Sequence, residues 1–310
     1  MTDSPKSSGG GPPSSRFLLP AVVAGLGTLD LKARTIVEGL MQGLHRSPFR
    51  GYSVEFAEYR QYLPGDDLAT VDWKVYARTD RHVVRKYEEE RNLDCHLLVD
   101  VSASMGYGGR AGMTKLDYAS CLAASIAYLL QRQHDAVGLV TFDHRIVTRI
   151  APSSRRGQVH ALLVALERVQ VGTRSNLAAP LEALADSITR RGLIMVFSDL
   201  LHAPDRVVRS LRYVRSRGME VVVFQVLDPD ELTFPFEGAA RFQDVESADE
   251  VLADPARARD GYLRRMDELT RSYERELRGA DIDYQLVDTS RPLDLTLLTY
   301  LAGRGRGVTR

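Results

Sequence analysis

Leu97-Leu98-Val99-Asp100-Val101-Ser102-Ala103-Ser104 is an apolar run that ends in a carboxylate and continues into two hydroxyls. Leu97 to Val99 shows no polar alternation. That marks a strand buried on both faces, and such strands belong to parallel sheets covered by helices. In open sheets of this kind, ligands bind beyond the carboxyl ends of the strands, which is where Asp100 falls. Alternate residues of an extended chain point the same way. Asp100, Ser102 and Ser104 therefore aim oxygens at one point once the chain curls off the strand. Ile194-Met195-Val196-Phe197-Ser198 repeats the pattern and ends in Asp199. Between the two, Gly172-Thr173-Arg174-Ser175-Asn176 precedes a helical segment and adds the hydroxyl of Thr173. Two carboxylates plus several hydroxyls make an all-oxygen set, suited to Mg²⁺ or Mn²⁺ and unsuited to zinc.

Outward from this centre the chain alternates strand and helix. Lys115 to Gln131 carries Leu116, Ala119, Leu122, Ala123, Ile126, Ala127 and Leu130 at helical spacing. Val137 to Phe142 and Ile146 to Ile150 flank Asp143-His144 and predict a hairpin. Helices are expected over Gln158 to Val169, Leu177 to Arg190, Pro204 to Arg217, Arg257 to Leu277 and Leu293 to Leu301, with strands over Val221 to Val226 and Tyr284 to Val287. Residues 231–250 read as turn- and acid-rich. The strands near Leu97, Leu139, Ile194, Val222 and Gln285 should share one parallel sheet, with the strand near Val147 antiparallel at an edge. The expected fold is thus α/β, a Rossmann-type, mostly parallel sheet with helices on both faces.

Three stretches divide the chain. Residues 1–28 read as a disordered tail rich in Ser, Gly and Pro. Residues 29–92 form an N-terminal accessory segment, opening with an amphipathic helix over Leu29 to Leu44 and continuing dense in Tyr, Arg and acids. Residues 93–310 form the main domain. The 310-residue chain balances 41 basic against 41 acidic residues, which disfavours a general nucleic-acid or membrane-surface binder. The apolar run Phe17 to Leu26 is broken by Pro20 and is too short to span a bilayer. Cys95 and Cys121 are the only cysteines and form no C-x-x-C pair, so a disulfide framework is not expected and the setting reads as cytoplasmic. No histidine pair has zinc-ligand spacing, and neither G-x-S-x-G nor G-x-x-x-x-G-K-[ST] occurs.

Asp100-x-Ser102-x-Ser104, then Thr173, then Asp199, resembles the metal-ion-dependent adhesion site of von Willebrand factor A-type domains. In those domains the serines and threonine bind Mg²⁺ directly or through water, and the aspartates complete the shell. The resemblance implies an open position that accepts a carboxylate from a partner protein. Leu200 stands where many such domains have glycine. Gly51, Phe56, Arg60, Tyr62, Gly65-Asp66-Asp67, Asp72-Trp73 and Ala77-Arg78-Thr79 are similar to the signature of the domain of unknown function 58 family. So are Asp288-Thr289, Arg291-Pro292-Leu293 and Tyr300-Leu301, while Ala69 departs from the Arg common there. That family joins such a preamble to a von Willebrand A-like domain. The likeness implies a bacterial protein working beside a MoxR-type AAA+ ATPase, with no enzymatic activity established.

The expected function is divalent-metal-dependent protein binding. The competing reading is a Mg²⁺-dependent hydrolase or phosphotransferase using Asp100 or Asp199. Against it, no Lys, Arg or His is fixed by motif beside the site to stabilise developing charge; Arg174 is the one candidate. The plain alternative for Asp100 and Ser104 is a strand end and a helix cap. Tyr59, Tyr62 and Trp73 are expected to pack against the main domain, because so short a segment cannot hold its own core.

Overall fold

The computed structural model describes residues 19–46, 59–61, 83–85, 94–172, 176–238, 240–243 and 250–307. In chain order the described elements begin with α1 (Pro20–Ala24), α2 (Leu29–Arg46), β1 (Tyr59–Gln61) and β2 (Val83–Arg85). There follow β3 (Asp94–Asp100), α3 (Lys115–Arg132), β4 (Ala136–Phe142), β5 (Ile146–Ser153), α4 (Gln158–Glu167) and α5 (Ala178–Ser187). Then come β6 (Gly192–Ser198), α6 (Pro204–Ser216), β7 (Glu220–Leu227), α7 (Pro229–Thr233), β8 (Ala240–Gln243) and β9 (Glu250–Ala253). The chain closes with α8 (Pro255–Arg278), β10 (Asp283–Asp288) and α9 (Leu293–Gly307).

Six strands form one sheet in the order β10-β7-β6-β3-β4-β5. All neighbours pair in parallel except β5, which runs antiparallel to β4 at the edge. The four inner strands explain this. β3, β4, β6 and β7 are buried along almost their whole length, so both faces need cover. One face carries Leu98, Val140, Ile194, Val196, Val221 and Val223, packed against Leu181 and Leu184 of α5, Leu211 and Val214 of α6, and Tyr273 and Leu277 of α8. The opposite face packs against α3, which in turn meets α4 and α9. Edge strand β5 instead alternates half-buried and exposed residues, as a strand with one wet face does. Cys95 and Cys121 are both buried, as expected of small core residues.

Helix ends follow local chemistry. The Thr114 side chain accepts the Asp117 N–H at 3.0 Å and caps α3. Pro204 opens α6, where its missing N–H costs nothing, and Gly218 at φ +86° follows its end. Within the stretch read as turns, the structure adds the short helix α7 and the antiparallel ladder β8–β9. Ala240-Arg241-Phe242-Gln243 does alternate apolar and polar, but over four residues, the shortest run at which that pattern argues a strand.

The chain divides into a unit of Leu44–Asn92 and a larger unit made of the rest. In the smaller unit β1 and β2 pair antiparallel. Helix α2, expected within the accessory segment, is tied to the larger unit: the Leu29 N–H donates to Glu167 Oε1 at 2.7 Å. Tyr62 and Trp73 lie outside the described residues, as does most of the preamble signature, and the side chain of Tyr59 is not described. Among the described residues no helix is long and apolar enough to cross a membrane.

Candidate metal centre

β3 and β6 lie side by side, with Val99 opposite Phe197. Asp100 and Asp199 therefore emerge at neighbouring strand ends on one rim of the sheet. The Asp100 carboxylate is fully buried. One oxygen accepts the Ser102 N–H at 2.9 Å and the other accepts the Ser198 hydroxyl at 2.6 Å. These bonds aim the carboxylate and fold the chain back, so that Ser102 and Ser104 bring their hydroxyl oxygens to 3.2 Å. A single 3₁₀ turn over Ala103–Gly106 makes this curl, and the Ser102 side chain makes no cap bond within it. The capping alternative for Ser104 also fails, because the following helix is capped by Thr114.

Asp199 is held as firmly. Its backbone carbonyl accepts from Gln225 Nε2 at 2.9 Å, and its Oδ1 accepts the Leu201 N–H at 3.3 Å. The loop turns at Leu200, which sits at φ +53° with its side chain fully enclosed. The glycine expected at this place is replaced by a residue that tolerates the left-handed region poorly.

The sequence reading missed Lys115. Its side chain is completely buried, and its ammonium donates to Asp199 Oδ2 at 2.7 Å and to Glu231 Oε1 at 2.7 Å. No motif fixes a Lys, Arg or His beside the site; the fold brings Lys115 there. The signal was thin: one lysine at the first position of an apolar helix, among carboxylates distant in sequence. Glu231 in turn accepts the Asp228 N–H through its other oxygen at 2.8 Å, in the capping box that starts α7.

Electrostatics follow from burial. Desolvation first, then the charge of Asp199, push the Asp100 carboxyl up to about 7, against the bonds from Ser198 and Ser102. Burial alone would lower Lys115, but Asp199 and Glu231 outweigh it and keep the ammonium protonated. Burial also raises Glu231, although Lys115 opposes this.

Asp100, Ser102, Ser104 and Asp199 are thus brought together, and Thr173 lies outside the described residues, as does Arg174. Among the described residues no group of three or more His, Cys, Asp or Glu is placed to hold a metal. A cation here would take two carboxylates and depend on hydroxyls for the remainder. The donor chemistry fits a hard cation such as Mg²⁺. Two exposed apolar residues flank the rim. Leu201 follows Asp199, and Val171 lies beside the serine turn, close to Gly106.

A mostly parallel sheet of this order, with D-x-S-x-S leaving one strand and Asp199 the next, defines a von Willebrand A-like domain. Residues 58–271 match the family described as "Protein of unknown function DUF58". The chain belongs to that family. An uncharacterized protein of Mycobacterium tuberculosis is 32% identical over 293 residues, covering 93% of this chain and 91% of its own length. A second, from Mycobacterium avium, is 28% identical over 166 residues, covering 52% of this chain and 96% of its own. Among solved structures, the conserved hypothetical protein BatB from Bacteroides thetaiotaomicron superposes with a TM-score of 0.48 at 15% identity, over 69% of this chain and 99% of that one. The SpRpn10 VWA domain gives a TM-score of 0.36 at 11% identity, over 66% and 94%.

Proposed function

We propose that the chain is a divalent-metal-dependent protein-binding module. Asp100, Ser102, Ser104 and Asp199, with Thr173, would hold Mg²⁺ or Mn²⁺. The cation would supply an open coordination position for a carboxylate on the partner. The observation that carries this reading is the rim itself. Two buried carboxylates and two facing hydroxyls lie at one end of the sheet, with Val171 exposed near Gly106 and Leu201 exposed next to Asp199. A polar anchor with exposed apolar side chains nearby suits a protein contact, where a fixed polar interaction is accompanied by apolar burial. The partner we propose is a MoxR-type AAA+ ATPase in a cytoplasmic setting, which rests on the family resemblance alone.

The hydrolase alternative gains little from Lys115. Its ammonium is paired with two carboxylates and its side chain has no exposed surface, so it cannot reach a substrate without breaking a buried ion pair. The test combines thermal melting with a pull-down. Mg²⁺ should raise the melting temperature of the wild type by mass action, and Asp100→Ala should abolish that rise. Ser102→Ala, which removes one neutral donor, should reduce it. Capture of the ATPase should fall in EDTA, return with Mg²⁺, and be lost in Asp100→Ala. Capture indifferent to both chelator and mutation would end this reading. Turnover of a phosphate ester that Asp100→Ala kills while capture persists would favour the enzyme.

A further inference from the structure

Lys115 opens α3, and its ammonium is enclosed between Asp199 and Glu231. Asp199 belongs to the metal set proposed above; Glu231 does not. The chain therefore already places a cation of its own against one of two carboxylates that would attract Mg²⁺. We propose that Lys115 is the resident counter-ion of this site, and that Glu231 sets how much of its charge Asp199 feels. The pair would thereby set the site's affinity for a divalent cation. This inference rests on the metal-binding reading.

The argument is one of charge in a buried place. Coulomb interactions strengthen as the local dielectric falls. With Lys115 present, Asp199 is partly neutralised and attracts a second cation less. Without it, Asp199 and Glu231 both lose the ammonium they contact, and their attraction for another cation rises. Removing Glu231's charge works in the opposite direction. Lys115 would then have Asp199 as its one charged partner among the described residues, and that pair would tighten. Glutamine at this position keeps an oxygen for the Asp228 N–H, so the start of α7 survives. Asp199 keeps its bonds from Gln225 and Leu201 in either variant, so its loop has anchors of its own. A lysine that served only packing would alter stability when replaced and leave metal affinity where it was. It gives no reason for the two substitutions to push that affinity in opposite directions.

The experiment is a Mg²⁺ titration by calorimetry, with Mn²⁺ followed by electron paramagnetic resonance. It uses the full chain as wild type, Lys115→Met and Glu231→Gln, each also melted in EDTA and in Mg²⁺. Lys115→Met should bind on the order of tenfold more tightly or better, with the largest Mg²⁺-dependent rise in melting temperature. Glu231→Gln should bind more weakly than wild type. Should Lys115→Met fold only when Mg²⁺ is present, that supports the proposal outright. Should it fold in neither condition, Glu231→Gln decides alone. Equal affinity across the folded variants, or two shifts of the same sign, overturns the counter-ion assignment while the metal-binding reading stands. Absence of binding in all three overturns both.

Discussion

Leu200 should reverse the usual ranking of alanine over glycine. It sits at φ +53° between the metal-set residue Asp199 and the exposed Leu201, with its side chain fully enclosed. The side chain packs in the core cluster with Val207, Val208 and Leu211. Two opposing terms act at this position. Left-handed backbone costs a non-glycine residue about 1–2 kcal/mol, a strain that glycine would remove. Truncating an enclosed leucine to alanine costs about 2–5 kcal/mol. Burial is the larger, which is why the chain tolerates leucine here. Leu200→Ala keeps the strain and loses the packing. Leu200→Gly loses the enclosed Cβ as well but sheds the strain, offset by roughly 0.5–1 kcal/mol of extra freedom in the unfolded chain. Both variants should therefore be less stable than wild type. The glycine variant should be the better of the two by up to about 1 kcal/mol, what remains of the relieved strain after these losses. Guanidinium denaturation of wild type, Leu200→Ala and Leu200→Gly, compared at matched slopes, reads this directly. An alanine variant equal to or above the glycine variant would refute the strain argument. A glycine variant as stable as wild type would refute the burial argument.

Three further outcomes follow from single contacts. Burial lowers His96 to about 4, helped by Arg149 and opposed by Asp94. Between the ordinary histidine value near 6.5 and this lowered one, the unfolded chain takes up a proton that the folded chain refuses. Stability should accordingly fall by about 3 kcal/mol as pH drops across that window. The urea midpoint of His96→Gln should decline less steeply with acid, and parallel curves would contradict this. A methyl group added at Gly138 would lie 2.6 Å from the Ile150 carbonyl oxygen and 2.7 Å from the Pro152 nitrogen, at the irregular β4–β5 pairing. Gly138→Ala should therefore cost about 1–3 kcal/mol by calorimetry, and a neutral result would mean the edge strand gives way. Thr114→Ala removes the bond to the Asp117 N–H and should cost about 1 kcal/mol, while Thr114→Ser should not.

What the sequence disclosed, and what it hid, divides along the distance over which the physics acts. The sheet was legible because each inner strand advertises burial in its own few residues. Leu97-Leu98-Val99 and Ile194 to Phe197 have no wet face, and β5 alternates because it has one. Asp100, Ser102 and Ser104 were legible because one extended segment carries all three, and Asp199 because it ends another apolar run, Ile194 to Ser198. Lys115 was hidden for the opposite reason. Its two partners lie 84 and 116 residues away, and its own surroundings in sequence are those of any lysine at the start of an amphipathic helix. Nothing local distinguishes a solvated ammonium from an enclosed one, because the distinction is made by carboxylates that the fold brings in from elsewhere. The same separation explains Leu200. The departure from glycine was visible, but the enclosed side chain that offsets its backbone strain exists only after α6 has packed over β6. Donors that converge through one strand and its turn can be read before folding. The charges that tune them come from other elements, and the site's affinity is therefore a property of the tertiary structure.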